Sequence, residues 1–591
     1  MYVPLLWEGG KRSTLLPLFI ALGSLLALSL ADVYVVKKHD PLVKTRSGKI
    51  RGFREEKFGR HVNTFLGVPF AQPPIGNLRF RKPLPVKPWM RELKAMFLPP
   101  SCAQPDVVVN RVFNFTQDER SEDCLYLNIW APLSSNTGNS RPKTVMVFLY
   151  GGAFFFGSTS YRFYNGATLA ALTDVIVVTV NYRLGPFGFM NARIPEIPGN
   201  QGLWDQHLAF RWIKENIQSF NGNPDLITVF GHSAGGISLG FHLVSPLSKG
   251  LFRRAIIQSG APYYKITDNP DEARLQFEAA ATALGCATNE DFEPGYGMSH
   301  VISCMLAKNT SEILTALEYF NDRVKTTYIP WPGDELVPQD LPDAIRYGNV
   351  NDMDLLVGAT MDEGSLFIQY YLSSVLDFAN PESITKRGLK VYLSFLFRLI
   401  RQPLPQEIAN QYVSSDPNES NADYLRRAGH SLGDFGFICP LVRFAADFAG
   451  RNNTVHYYEF GYRPGYSWNE PWQGVAHFDE IPFIFGTNLN TPEFNVTREE
   501  QVFTLFMMHT WSHFAKTGHV PNIFGKPWPR FNGVSRPYVH LNGRHTEIRE
   551  GIGHRCKFWE PRNYKFVTSP RPDLEEIWMK PTPSYDELAD L

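Results

Sequence analysis

Residues 226–243 decide the fold of this chain and read LITVFGHSAGGISLGFHL. The apolar run 226–230 is typical of a buried strand, and residues 237–243 are compatible with a helix. Between them stands a G-x-S-x-G sequence centred on Ser233, in the strand–turn–helix setting of a nucleophile elbow. Strand and helix approach closely at such a turn, so Cβ atoms at positions 231 and 235 would clash. We therefore predict that Ser233 is a nucleophile at the tip of a strained turn.

Two later positions can supply the base and the acid that such a serine needs. A serine hydroxyl is a poor nucleophile at its free pKa. Hydrolases with this elbow provide their partners in the chain order serine, acid, histidine. Glu363 follows the strand-like run 355–357, and His477 lies in GVAHFDE, residues 474–480. We predict Glu363 as the acid and His477 as the base, the alternative being a purely structural histidine.

His232 directly precedes the nucleophile and is therefore an alternative base. Adjacent residues on a sharp turn point in different directions, which argues against that role. We predict instead that His232 lines the site or bonds to a nearby carboxylate.

The stretch YGGAF, residues 150–154, follows the apolar run 144–149. A Gly-Gly turn lets backbone N–H groups point at a substrate oxygen without obstruction by side chains. The N–H of the residue after the nucleophile adds a further donor. We predict an oxyanion hole built from Gly152, Ala153 and Ala234, the alternative being a simple glycine turn.

Continuous apolar runs alternate with helical spacing along the middle of the chain, as in helix 203–217. Strands buried on both faces read in this way, so the pattern predicts an α/β fold with a mostly parallel sheet. We interpret the more helical stretches 265–345 and 370–475 as insertions that cap the sheet and shape a pocket. The predicted strands are 144–149, 175–180, 226–230, 252–258 and 355–358.

The N-terminus carries the pattern of a secretory signal. Lys11 and Arg12 precede an apolar run, 15–30, that ends at Ala31 after small residues. The alternative is an uncleaved membrane anchor, but a run of about 16 residues is short for a bilayer that needs ~20. We predict a signal peptide at 1–31, one catalytic domain at 32–565 and a loosely held tail at 566–591.

The cysteines and the glycosylation sequons agree with secretion. Six cysteines in an oxidising compartment suggest three disulfides, with fifteen possible pairings. Sequons predict surface glycans on a secretory protein. They begin at Asn114, Asn309, Asn418, Asn452 and Asn495.

Charge and motifs exclude other classes of function. Lys+Arg and Asp+Glu are both 58, so the formal net charge is zero and nothing builds the basic field of a nucleic-acid-binding protein. HExxH, P-loop and clustered Cys/His motifs do not occur. We expect no metal, no cofactor, no nucleic-acid partner and no stable membrane anchor.

Taken together, the motifs resemble the type-B carboxylesterase/cholinesterase family of α/β hydrolases. The resemblance runs from about Val43 to Trp559 and implies a small carboxylic ester as substrate. It implies the triad Ser233, Glu363 and His477, with oxyanion donors as above. It also implies that Ser259 or Glu480 helps to orient the histidine or a water. The motifs are FLGVPFA (65–71), SEDCLYLN (121–128), NYRLG (181–185), FGHSAGG (230–236), DEGS (362–365) and GVAH (474–477). The disulfides that the resemblance implies are Cys102–Cys124, Cys286–Cys304 and Cys439–Cys556.

Departures from the cholinesterase pattern bear on the substrate. Cholinesterases have a tryptophan in the first disulfide loop that faces the choline cation, but residues 103–123 contain none. His232 stands where they have glutamate, and Leu366 precedes Phe367 where an aromatic residue is expected. Val324 and Thr326 lie where acyl-pocket phenylalanines would be. We predict a secreted carboxylesterase for less polar or bulkier esters. The alternatives are a cholinesterase and a non-catalytic binding or adhesion relative, a class that typically lacks a triad residue.

Overall fold

An eleven-stranded sheet organises the computed structural model. The model describes residues 40–105, 119–133, 141–263, 271–293, 297–316, 328–348, 350–400, 402–414 and 416–560. From Pro41 onward the described residues belong to one compact unit. The strands are β1 (Phe53–Lys57), β2 (Arg60–Pro69), β3 (Tyr126–Pro132), β4 (Lys143–Leu149), β5 (Ile176–Val180), β6 (Gly222–His232), β7 (Arg254–Gln258), β8 (Asp354–Thr360), β9 (Val455–Phe460), β10 (Tyr538–Leu541) and β11 (Glu547–Arg549).

The sheet is mostly parallel, which confirms the predicted fold class. Its strand order is β11-β10-β9-β8-β7-β6-β4-β5-β3-β2-β1. The seven strands from β10 to β5 pair in parallel, and the outer strands pair antiparallel. Every residue of β4, β5 and β7 is buried, as expected for strands of mainly apolar sequence that are covered on both faces.

Each of the five predicted strands is present, with shifted boundaries. Strand β6 begins at Gly222, earlier than predicted, because Gly222 pairs with Lys143 before a register shift that ends at Ile227. Strand β7 begins at Arg254 rather than at residue 252. Shorter strands form three small sheets at Leu42–Lys44, Lys49–Arg51 and Leu93–Lys94, at Ser101–Cys102 and Arg120–Ser121, and at Asn191–Ile194 and Ile197–Pro198.

Helices flank the sheet and also occur in both predicted insertions, 265–345 and 370–475. The predicted helix 203–217 is α3. The described helices are α1 (Ala167–Thr173), α2 (Gly185–Phe189), α3 (Gln201–Asn216), α4 (Ala234–Val244), α5 (Glu272–Ala283), α6 (Ser299–Ala307), α7 (Leu341–Arg346), α8 (Gly364–Leu372), α9 (Lys386–Leu399), α10 (Pro405–Tyr412), α11 (Asn421–Gly433), a π-helical turn (Asp434–Ile438), α12 (Cys439–Ala449), α13 (Ile481–Phe485) and α14 (Arg498–Thr517). Within the described ranges, no helix is both long and apolar enough to cross a membrane.

The turn between β6 and α4 has the close approach that its sequence predicts. A Cβ at Gly231 would lie 2.6 Å from the carbonyl carbon of Gly235, and one at Gly235 would lie 2.1 Å from the carbonyl oxygen of Leu149. Ser233 has φ 53° and ψ −121°, a conformation that L-residues rarely adopt. The glycines let the helix start directly over the sheet, and the serine takes up the strain of the turn.

Three disulfides close loops around this scaffold. They pair Cys102 with Cys124, Cys286 with Cys304, and Cys439 with Cys556, the pairs that the family resemblance implies. The last bridge spans 117 residues and joins the start of α12 to the chain beyond β11. In the chain-entropy model, a loop of that length contributes about 4–5 kcal/mol to the free energy of unfolding.

A buried ion pair joins the end of β5 to α3. Arg183 donates from Nε and Nη2 to the two carboxylate oxygens of Asp205, at 2.8 and 2.7 Å, and its backbone N–H donates to the same carboxylate. The two side chains are 3% and 0% exposed. The pair therefore fixes the chain just beyond β5 to a helix beneath the sheet.

Removing the carboxylate of this pair should destabilise the protein strongly. We expect Asp205→Ala to lower the free energy of unfolding by about 3–5 kcal/mol, because the Arg183 guanidinium would stay buried without its counter-charge. Urea unfolding measures the loss. Glu335→Ala breaks the more exposed pair with Lys82 and should change stability by less than about 1 kcal/mol. Equal losses in both variants would contradict this expectation.

Some predicted features lie outside the described residues. They are the signal peptide 1–31, the tail 566–591, Asn114, Val324 and Thr326. Residues 106–118 of the first disulfide loop also lie outside.

Candidate active site

Ser233 lies at the carboxyl end of the parallel sheet, where α/β folds place their sites. Its backbone N–H donates to the carbonyl oxygen of Gln258 at the end of β7, at 2.8 Å. Its own carbonyl accepts from Ile237 in the first turn of α4. The side chain is 8% exposed, so the hydroxyl group belongs to an enclosed site rather than to the outer surface.

Glu363 and His477 meet in a direct hydrogen bond between Oε2 and Nδ1. The carboxylate follows β8, and its other oxygen accepts from the backbone N–H of Thr360 at 2.7 Å. Both side chains are almost fully buried. With Nδ1 bonded to the Glu363 carboxylate, Nε2 is the ring nitrogen that is left to accept a proton, as the predicted triad requires. Glu363 thus bonds to His477 and not to the alternative base His232.

Two aspartates that the sequence reasoning missed hold the loop in front of His477. Asp362 accepts from the backbone N–H of Val475 through Oδ2 at 2.9 Å, and its own N–H donates to the Val475 carbonyl. Asp479 accepts from the next N–H, that of Ala476, at 2.9 Å. Burial raises the pKa of Asp479 to about 7. The loop is therefore tied both to the end of β8 and to itself.

The His477 imidazole is enclosed by rings from three segments. Phe367 of α8 lies 5.2 Å away and Phe437 of the π-helical turn 4.9 Å away, centroid to centroid. The His232 ring lies at 4.5 Å. Phe437 is a second contact that sequence reasoning missed, because nothing near position 437 signals that the chain returns to the site. The aromatic walls limit the orientations of His477.

The segment with the predicted oxyanion donors lies against Ser233. A Cβ at Gly151 would lie 2.7 Å from the Ser233 Cβ, so only glycine permits this approach. Gly152 and Ala153 have positive φ values of 117° and 52°. Ala234 is the first residue of α4, and the first N–H groups of a helix have no partner within it. Gly151 thus lies beside Ser233, and the oxyanion role of Gly152, Ala153 and Ala234 stays a prediction.

Side chains from elsewhere clamp this segment. Gln104, next to the first disulfide, donates to the Gly157 carbonyl at 2.9 Å and accepts from the Gly157 N–H at 3.0 Å. Tyr150 and Tyr182 exchange hydroxyl-to-carbonyl bonds, and their rings stack 4.5 Å apart. The loop is therefore fixed at both ends before any substrate binds, as electrostatic preorganisation requires.

The other predicted site residues, His232, Glu480 and Ser259, are all buried. His232 Nε2 lies 3.9 Å from Glu480 Oε1. Burial, and then the nearby His477, hold the pKa of His232 well below its usual value. Burial, and then Glu363, raise the pKa of Glu480 to about 8. Ser259 has φ 48°, and its backbone N–H donates to the Gly358 carbonyl.

The described sequon asparagines are all exposed. Each lies on a loop or at a helix end, where an attached glycan would meet only solvent. They are Asn309, Asn418, Asn452 and Asn495.

Comparisons with known proteins match this chain to one family. The model of the carboxylesterase family matches residues 39–559. An acetylcholinesterase of Bungarus fasciatus is 37% identical over 547 residues, which cover 88% of this chain and 85% of that protein. Acetylcholinesterase-1 of Trittame loki is 33% identical and covers 88% and 94% of the two chains. A cholinesterase of Mus musculus is 35% identical and covers 88% and 87%.

Proposed function

Because the chain belongs to the carboxylesterase family and is a carboxylic ester hydrolase, we propose that it cleaves small neutral esters with Ser233, His477 and Glu363. The observation that carries this proposal is the buried Glu363–His477 bond beside a strained serine elbow.

The reaction has two matched halves. Nε2 of His477 takes the hydroxyl proton while Ser233 Oγ attacks the ester carbonyl. Backbone N–H groups of Gly152, Ala153 and Ala234 stabilise the oxyanion. His477 then protonates the departing alcohol, which leaves an acyl-enzyme. Water repeats the sequence, releases the acid and restores the serine. Glu363 holds the imidazole and stabilises its charged form without taking the proton.

The proposed preference for neutral esters rests on the uncharged state of two buried side chains, His232 next to Ser233 and Glu480 close to His477 in sequence. A cationic ester gains from a carboxylate or an aromatic face that meets its positive charge. Next to the nucleophile this chain has His232, whose lowered pKa keeps it uncharged near neutral pH. Glu480, with its pKa raised to about 8, is mostly protonated at pH 7. The described part of the first disulfide loop, 103–105 and 119–123, holds no tryptophan.

We also propose that the protein is secreted. The three disulfides require an oxidising compartment to form and persist. The exposed sequon asparagines are open to glycosylation in the secretory pathway.

The relatives named as acetylcholinesterases and cholinesterase make cholinesterase activity the second candidate. The two candidates separate on a matched pair of substrates, acetylthiocholine and its uncharged carbon isostere, 3,3-dimethylbutyl thioacetate. We expect protein collected from culture medium to hydrolyse the uncharged ester with kcat/KM at least as high as for acetylthiocholine. Background is subtracted with the Ser233→Ala variant. A marked preference for acetylthiocholine would overturn the neutral-ester proposal and favour a cholinesterase.

A further inference from the structure

Helix α11, which belongs to the predicted insertion 370–475, packs directly on the turn that carries the predicted acid. A Cβ at Gly364, the first residue of α8, would lie 1.9 Å from the carbonyl oxygen of Gly429 and 2.3 Å from the backbone nitrogen of Gly433. A Cβ at Gly433 would lie 3.5 Å from the Cβ of Glu363. Because side chains on this face would hold the two segments apart, the glycines bring α11 to backbone contact beside Glu363.

His430, next to Gly429 on this helix, forms a hydrogen bond to Asp362, the residue before Glu363. Its Nε2 lies 2.7 Å from Oδ1 of the Asp362 carboxylate. The imidazole is 20% exposed and the carboxylate 1%. Since a carboxylate accepts, Nε2 is the ring nitrogen that donates its proton. A buried carboxylate is costly unless hydrogen bonds satisfy it, and His430 supplies one of these bonds from outside the turn.

The same carboxylate holds the loop that leads to His477. Through Oδ2, Asp362 accepts from the backbone N–H of Val475 at 2.9 Å, and its own N–H donates to the Val475 carbonyl at 3.0 Å. Gly474 lies so close that a Cβ there would be 2.2 Å from Oδ2. Because Asp362 also precedes Glu363 in the chain, a displacement of its carboxylate would move the predicted acid and the predicted base relative to each other.

We propose that His430 is a positioning residue, which through Asp362 sets the geometry of the Glu363–His477 hydrogen bond. This role rests on the proposed function, since it takes Glu363 and His477 as the acid and the base. It gives the insertion a task beyond shaping a pocket. Helix α11 acts on the site through His430, and the π-helical turn that follows it reaches the His477 ring through Phe437.

Three substitutions at position 430 test the hydrogen bond. His430→Ala removes the donor and should lower kcat for p-nitrophenyl butyrate about 10- to 100-fold, because a displacement of the base by about 1 Å costs a factor of this size. KM should stay within about threefold of the wild type, since no group that touches the substrate is lost. His430→Gln keeps an amide donor at a similar reach and should restore most of kcat. His430→Asn carries the same amide on a side chain one methylene shorter and should behave like His430→Ala.

A second histidine–aspartate pair, in the predicted insertion 265–345, is the matched control. Nε2 of His300 in α6 lies 2.9 Å from Oδ1 of Asp291, so the pair joins the same two kinds of atom as His430 and Asp362. His300→Ala should leave kcat within about threefold of the wild type. Urea unfolding of each variant confirms that the kinetics are those of folded protein.

The outcomes separate the role of His430 from the proposed function. Unchanged kcat in His430→Ala and His430→Asn, with Ser233→Ala inactive, would overturn the role of His430 alone. Equal losses in His430→Gln and His430→Ala would also overturn it, because the imidazole would then act by packing and not by its hydrogen bond. Full activity of Ser233→Ala would overturn the proposed function and this role with it. If His430→Ala does not fold, the comparison of His430→Gln with His430→Asn still decides, since the two amides differ only in reach.

Discussion

Ser233→Ala should lower kcat for a neutral ester by about 10⁴- to 10⁶-fold, because no other hydroxyl can form the acyl-enzyme. The substituted site would keep its oxyanion segment and its pocket, so KM should change far less than kcat. Hydrolysis of p-nitrophenyl butyrate, followed at saturating substrate, measures the loss. The activity that remains in this variant should come from substrate binding and oxyanion stabilisation alone.

A buried serine in the same helix supplies the matched control. Ser238 of α4 donates to the Ala234 carbonyl and accepts from Gln206, so its loss tests packing around the elbow without touching the chemistry. Ser238→Ala should keep kcat within about tenfold of the wild type. Labelling with diisopropyl fluorophosphate should modify the wild type and Ser238→Ala but not Ser233→Ala. Labelling of Ser233→Ala at another serine would show that the nucleophile is misassigned.

The elbow could be predicted from sequence because everything that makes it is local. An apolar strand, Gly231, Gly235 and a helix lie within the eighteen residues 226–243. The close contacts of the two glycines follow from this strand–turn–helix order. The parallel sheet was equally predictable, since strands buried on both faces need unbroken apolar runs. The family comparison and the strand order confirm that fold class.

The surroundings of His477 could not be predicted in the same way. Phe437, Asp362 and Gln104 reach the site from separate parts of the chain, and only tertiary packing brings them there. Their sequence contexts carry no periodic or motif signal that would relate them to position 477. The disulfide pairs likewise came from family resemblance, because a count of six cysteines permits fifteen pairings.

His232 shows where a sequence motif and its chemistry diverge. Its position beside the nucleophile suggests a base, but the carboxylate that could orient a base is bonded to His477. The structure instead places His232 Nε2 at 3.9 Å from Glu480 Oε1, and the role of His232 in lining the site or bonding to a carboxylate stays a prediction. The roles of Ser233, Glu363 and His477 remain predictions, which the Ser233→Ala and Glu363→Gln variants test.

Glu363→Gln should lower kcat by about 10⁴-fold while leaving the fold intact. The glutamine amide is nearly isosteric with the carboxylate and can still accept from the Thr360 N–H. It can also donate to Nδ1 of His477, which would place the ring proton on Nε2 and leave no lone pair there for the Ser233 hydroxyl. The uncharged amide would in addition fail to stabilise the imidazolium that forms in each half of the reaction. Steady-state kinetics with p-nitrophenyl butyrate give the loss in kcat.

The chain contains a second carboxylate–imidazole pair that serves as the control for this substitution. Oε2 of Glu459 in β9 lies 2.8 Å from Nδ1 of His540 in β10. As in the Glu363–His477 pair, a glutamate Oε2 and a histidine Nδ1 share the hydrogen bond. Glu459→Gln should therefore reproduce the structural consequences of losing such a bond and leave kcat within about tenfold of the wild type. If both variants lose activity equally, the effect of Glu363→Gln is one of stability. If only Glu363→Gln is inactive, the acid acts through the tautomer and charge of His477, which is what distinguishes a catalytic pair from a structural pair that joins the same two kinds of atom.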